Sequence, residues 1–237
     1  MKEAAVSLLK RAVELDQAKR FTEALLLYQE GIQMLLQLRK SESKDRADYY
    51  LKKIEEYMSR AETIKKTVEE LKQQGKYHEQ MSIKSDSIGH SYTKIFSRFL
   101  DSDVTHVTIE DPYIRAFHQV QNLIKFSEML IKHCSNLKRI KLITTQSDSE
   151  SEQHGHLNNM KKDLKDNFSI ELLIEFSPTL HDRQISLSTG WIIKIGRGLD
   201  YFKAPRSKNC IGTYDLDLRP CHETTVDIFH SNNVVQK

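Results

Sequence analysis

Residues 21–36 read FTEALLLYQEGIQMLL. Phe21, Ala24, Leu25, Tyr28, Ile32 and Leu35 recur at three- and four-residue spacing, which lays one apolar stripe along a helix. Outward from this stretch the same spacing repeats on both sides. Ala5, Leu8, Leu9, Ala12 and Val13 precede it, and Tyr50, Ile54, Tyr57, Ala61, Ile64, Val68 and Leu71 follow the polar break SESKDRAD at 41–48. Residues 1–74 hold no proline and a single glycine, Gly31, so nothing interrupts the three runs. The pattern predicts an up-down-up bundle of three helices over residues 1–75, with Gly75 ending the last. A tetratricopeptide array is excluded, because no second copy of the phrase follows at a period of about 34 residues.

Beyond the bundle the period changes. Residues 76–90, KYHEQMSIKSDSIGH, are polar and without a period, and are expected to form a linker or the entry to a second domain. VTHVTIED (104–111) alternates and is β-branched, residues 113–134 return to helical spacing, and RIKLITT (139–145) is a short apolar strand. A polar loop, QSDSESEQHGH (146–156), leads into a helix over HLNNMKKDLKDNF (156–168) and a strand over IELLIEF (170–176). ISLSTGWIIKI (185–195) reads as a hairpin through Thr189 and Gly190, and HETTVDIFHSN (222–232) as a closing helix. Strand–helix–strand–helix–strand order predicts an α/β sandwich with a partly parallel sheet over residues 91–237, so the fold class is α + α/β.

Composition sets limits. The 237 residues suffice for two ordinary domains, and a net charge of +3 does not by itself indicate nucleic acid as a partner. Cys134, Cys210 and Cys221 lack framework spacing, which predicts reduced thiols in a cytosolic or nuclear setting. No apolar run approaches the roughly 20 residues that span a bilayer. The opening MKEAAVSLLKRAVELD mixes acids and lysines through its apolar residues, as an amphipathic helix does and a secretory signal does not. Any membrane role is therefore expected to be peripheral.

FTEALLLYQEGIQMLL followed by YMSRAETIK (57–65) resembles an MIT domain, the three-helix module of microtubule-interacting and trafficking proteins. The resemblance covers about residues 1–74 and is most specific at Tyr57, Arg60, Ala61 and Glu62. It implies docking of C-terminal tails of ESCRT-III proteins in grooves beside the third helix. The residues support such a role independently. Met58 lies off the stripe of the third helix, and adaptable methionines suit binding surfaces; it would equally serve to widen the core contact. Glu62 follows one turn later, placed to meet a basic residue of an incoming helix, and Leu27 and Met34 are apolar outside the stripe of the second helix. Leu27, Met34, Met58, Glu62 and Lys65 are thus the candidate peptide-binding residues. Ser59 departs from the acid that many such domains carry there.

The second half, through IEDPYIRAFHQ (109–119), HDRQI (181–185), GWIIKIGRGLDYF (190–202) and DLRPCHETTVDIFH (217–230), resembles the phospholipase D-type domain that follows an MIT domain in one family of proteins. Active phospholipase D chemistry takes a nucleophilic histidine, a lysine two residues on and an aspartate beyond it, His-x-Lys-x4-Asp, in two copies. This chain offers one partial copy: His181, Arg183 in place of lysine, and Ser188 in place of aspartate. A guanidinium can hold phosphate, but its fork is no isostere of an ammonium. A two-fold dimer would duplicate His181 without restoring the aspartate.

A basic surface remains. Seven Lys or Arg face four Asp between His181 and Pro220, and His181, Arg183, Lys194, Arg197, Lys203, Arg206 and Lys208 are the candidate lipid- or phosphate-binding residues. The same lysines also suit a solvated loop. Gly196 and Gly198 lack the third glycine and helix of a phosphate cradle. His154 with His156, and Cys221 with His222, lack the further ligands or orienting group a metal or nucleophile needs. Neither a metal nor a cofactor is expected.

The leading expectation is an adaptor that reads ESCRT-III tails and sits on acidic membranes, a homodimer through its second domain, without a nucleic-acid partner. The resemblance implies a place in cytokinesis, abscission and membrane trafficking, with the protein cytoplasmic and peripheral on late endosomes and at the midbody. The alternative is a dimeric phosphodiesterase using His181 and Arg183.

Overall fold

The computed structural model describes residues 1–207 and 209–231, and the chain divides into two compact units, Met1–Glu79 and Gln80–Lys237. Three helices build the first: α1 (Lys2–Gln17), α2 (Phe21–Arg39) and α3 (Lys44–Gln73). The stripes fold inward as their spacing requires. Ala5, Leu9, Ala12 and Leu15 of α1, Ala24, Tyr28 and Leu35 of α2, and Tyr50, Ile54, Ile64 and Val68 of α3 are buried. Gly31 permits the closest approach of α1 and α2, since a Cβ there would lie 2.6 Å from Leu9 Cγ. Asp16, buried on α1, accepts a bidentate pair from Arg60 of α3, at 2.7 Å from Nε and 2.8 Å from Nη2. The helix break is shorter than expected: Lys44 to Asp48 already belong to α3, which opens with Asp45 in its first turn. At the far end Gly75 takes φ +63°, and Lys76 and Gly75 donate back to the carbonyls of Leu71 (2.9 Å) and Lys72 (3.0 Å). That double bond pattern closes the helix as a left-handed glycine cap.

The second unit is a seven-stranded sheet with helices. Its strands are β1 (His78–Ile83), β2 (His106–Glu110), β3 (Arg139–Thr144), β4 (Glu171–Phe176), β5 (Gln184–Leu187), β6 (Trp191–Ile195) and β7 (Thr224–His230), in the order β1-β7-β6-β5-β2-β3-β4. β2, β3 and β4 run parallel, while β5, β6 and β7 are antiparallel. Helices α5 (Phe117–His133) and α6 (Glu150–Phe168) join β2 to β3 and β3 to β4. Both crossovers advance in one direction, so right-handedness puts both helices on one face. On the sheet, Ile109, Ile140, Leu142, Leu172, Ile185, Ile193, Val226 and Ile228 are buried in register. A short helix α4 (Tyr92–Phe96), capped by the Ser91 hydroxyl, adds an aromatic knot. Tyr92 stands edge-on to Phe126 (5.4 Å), Tyr201 (5.8 Å) and Phe202 (5.3 Å), and its hydroxyl donates to the Leu199 carbonyl at 2.5 Å.

Three expectations are corrected here. The helix expected over 222–232 is a strand in its described part: residues 224–230 form β7, with Thr224, Val226 and Ile228 buried in alternation, and Asn232 lies outside the described residues. The stretch 76–90 is not without regular structure, because Glu79, Met81 and Ile83 alternate inward to make β1 the edge of the sheet. The loop read at 146–156 ends early; α6 begins at Glu150, where buried Gln153 donates to the carbonyls of Ile114 (2.7 Å) and Thr145 (3.0 Å).

Candidate functional sites

On the bundle, the candidate peptide face lies along α2 and α3. Leu27 and Met34, seven residues apart on α2, are half-buried. Met58 of α3 is 47% exposed, outside the buried Tyr50, Ile54, Ile64 and Val68. Glu62 and Lys65 are exposed one and two turns further on. With Lys66, Glu69, Glu70 and Gln73 they make one open, charged face of α3. Those four were not singled out by sequence, although they share a helical face with Glu62 at spacings of four, seven, eight and eleven. This face carries both acids (Glu62, Glu69, Glu70) and bases (Lys65, Lys66), so it favours a partner carrying both charges.

In the second unit, His181 stands exposed in the loop from β4 to β5. Arg183, at the start of β5, is already engaged: its guanidinium donates to the Gly196 carbonyl and stacks over the Tyr113 ring at 4.2 Å. Arg115 approaches the same ring at 5.7 Å and donates to Thr145 Oγ1 at 2.6 Å. Ser188 lies past the opposite end of β5, roughly 17 Å of strand from Arg183, where its hydroxyl accepts the Thr105 N–H at 2.9 Å. His181, Arg183 and Ser188 therefore do not converge.

A carboxylate does lie beside Arg183, and it is one to which the His-x-Lys-x4-Asp pattern does not point. Asp111 is 1% exposed; its oxygens accept N–H groups from Tyr113 (3.0 Å) and Leu199 (3.1 Å). Burial pushes its pKa up, opposed by those two N–H groups and by the Arg183 charge. Gly198, at φ +60°, sits so close that any Cβ would overlap Asp111 Oδ2. Ile109, Asp111, Arg183, Ile185, Gly198 and Leu199 pack together without room for a water molecule. Asp111 thus buttresses the 196–199 turn from inside. Its sequence signal was its place in IEDPYIR, just before a proline.

The basic residues divide. Lys194 on β6, Arg197 in the 196–198 turn, and Arg206 are exposed. Lys203 pairs with Asp86 at 2.7 Å on the surface, and Lys208 lies outside the described residues. Pairings between residues so distant in sequence leave no local signal. His154 and His156 pack against Phe176 (4.8 Å) and Phe117 (5.0 Å). Cys221 is a free thiol whose backbone pairs with Phe202 in an isolated antiparallel β-bridge, and burial pushes its thiol up to about 11, away from nucleophilic use. Among the described residues no helix is long and apolar enough to cross a membrane.

Comparison with known proteins fits this division. Residues 3–66 match the family model of the MIT (microtubule interacting and transport) domain, and residues 89–230 that of the phospholipase D-like domain at the C-terminus of MIT. The chain is also similar to mouse MIT domain-containing protein 1, with 48% identity over 233 residues, 97% of this chain and 93% of that protein.

Proposed function

The chain belongs to the family of MIT proteins that carry a C-terminal phospholipase D-like domain, and on that premise we propose that it is an adaptor joining ESCRT-III tails to acidic membranes. One observation carries the reading: Met58, a large apolar side chain outside the bundle core, is half in water beside a face of mixed charge on α3. An amphipathic helix would cover it, with Leu27 and Met34 flanking and Glu62 and Lys65 supplying ion pairs at the rim. One short helix buries less than a standard interface, so affinity is expected to be roughly micromolar.

The second domain contributes membrane contact rather than hydrolysis. Exposed Lys194, Arg197 and Arg206 each add on the order of 1 kcal/mol near an anionic leaflet. Chemistry is disfavoured because Arg183 is engaged by Gly196 and Tyr113, and Ser188 is remote from His181. The reading includes a homodimer through the second domain, and a place at late endosomes and the midbody in cytokinesis and trafficking.

Titration of fluorescent ESCRT-III tail peptides with the full chain tests the first half. Binding that weakens at least about tenfold in Met58→Asp, with helicity unchanged, is the expected result, since an unpaired carboxylate would face apolar surface. No binding to any tail overturns the reading. Phosphodiester turnover that disappears in His181→Ala would instead establish the phosphodiesterase alternative.

A further inference from the structure

Two large apolar side chains protrude from the loop that follows Tyr201 and Phe202: Ile211 is 85% exposed and Tyr214 86%. Single exposed apolar residues are ordinary. This pair differs because the loop holding it is built, not ragged. At its base Arg219 is 7% exposed, and its guanidinium donates to the carbonyls of Gly212, Thr213 (2.5 Å) and Lys203 (3.3 Å). A buried cation surrounded by carbonyls ties the adjacent Gly212 and Thr213 to Lys203 through one planar fork. Thr213 adds bonds from its hydroxyl to the carbonyls of Cys210 (2.7 Å) and Ser207 (3.2 Å). Gly212, at φ +83°, lies so near the chain that a Cβ would be 2.7 Å from the Leu218 carbonyl oxygen. Backbone polar groups near the tip are therefore paired within the loop, and the two apolar side chains are held outward in advance of any contact.

The charge around them selects the partner. Arg206 and Arg197 are exposed, while the Asp215 carboxylate accepts the Asp217 N–H at 2.9 Å and that of Asp217 accepts the Ser91 N–H at 3.2 Å. Exposure above four-fifths means that both tips are convex. A convex apolar tip, with the exposed Arg206 on the same loop, fits a medium that yields around it better than the flat surface of a folded protein. Tyrosine is also a side chain of the membrane interface, with an apolar body and a polar end.

We infer that residues 209–219 form a preorganised wedge that inserts Ile211 and Tyr214 at the headgroup–acyl boundary of an acidic bilayer. The inference rests on the membrane reading of the second domain and adds an apolar contact to the cations that reading names. Cosedimentation of the full chain with phosphatidylcholine vesicles, with and without phosphatidylserine, tests both. Wild type is expected to bind the acidic vesicles. Ile211→Ser with Tyr214→Ser, at positions that touch no core, is expected to weaken binding about tenfold or more and to leave a remainder more sensitive to salt. Binding that is unchanged in the double variant overturns the wedge and leaves the membrane reading standing; wild type that ignores acidic vesicles overturns both. A Tyr214→Trp variant gives a second readout. Its added emission should shift to the blue on binding and be quenched by brominated lipid tails, and emission that stays at its value in water while the protein is bound overturns the insertion.

Discussion

Asp111 and Gly198 form a contact that each side chain makes necessary for the other. A carboxylate placed under a turn needs donors, and only a residue without Cβ brings the turn close enough to give the Leu199 N–H. Gly198→Ala is expected to destabilise the second domain by about 3 kcal/mol or more, combining left-handed backbone with lost hydrogen bonds; urea denaturation measures it. The titration of Asp111 has a defined sign. Its folded pKa is raised above the unfolded value, so the stability it contributes is fully present below about pH 4 and is lost as pH rises through the folded value. Relative to Asp111→Asn, wild type should therefore gain stability as pH is lowered from 7 toward 4, and a pH-independent difference would contradict the assignment. In the bundle, burial and then the Asp16 charge push the Tyr28 hydroxyl up to about 12. Asp16→Asn should lower that value, as an ultraviolet titration of phenolate would show, and should weaken the tie of α1 to Arg60.

At the scale of elements, Gly31 decides how closely α1 and α2 pack. A methyl group there would drive into Leu9, so Gly31→Ala should destabilise the bundle by about 1–3 kcal/mol, although alanine gains about 1 kcal/mol of helix propensity. Faster hydrogen exchange of α1 amides would report it; unchanged exchange would mean that Leu9 yields without loss. The helices were legible because an apolar stripe three or four residues in period has one interpretation over fifteen residues. β7 was not, because over seven residues Val226 and Phe229 satisfy a helical spacing while Thr224, Val226 and Ile228 satisfy a strand's. β1 was hidden for another reason: its first inward residue is an acid. Glu79 is 2% exposed and accepts hydroxyl bonds from Tyr77 (2.6 Å) and Thr22 (2.8 Å), partners that no local pattern announces. The candidate sites divide the same way. An extra apolar residue on an already sufficient stripe, Met58, is visible in sequence. The engagement of Arg183 by Gly196 and of Lys203 by Asp86 is created only by the fold.

For the whole molecule, the consequence of placing two modest contacts in one chain is arithmetic rather than structural. On the proposed adaptor reading, a tail peptide held by the bundle and a leaflet touched by the second domain would each be weak alone, but once one is engaged the other becomes intramolecular at an effective concentration near millimolar. Vesicles that carry both phosphatidylserine and a tethered ESCRT-III tail should therefore bind wild type on the order of a hundredfold more tightly than vesicles carrying either alone. Met58→Asp should reduce this to the level of the acidic surface, and Ile211→Ser with Tyr214→Ser to near the level of the tail. The two losses should not add, because each variant removes the same linkage. High salt should act like the second variant, since exposed cations are screened within about 8 Å at physiological ionic strength. Affinity for the doubly decorated vesicles that merely equals the stronger single contact would mean that the chain cannot reach both at once, and the adaptor reading would then need the two contacts to be made by different copies of the protein.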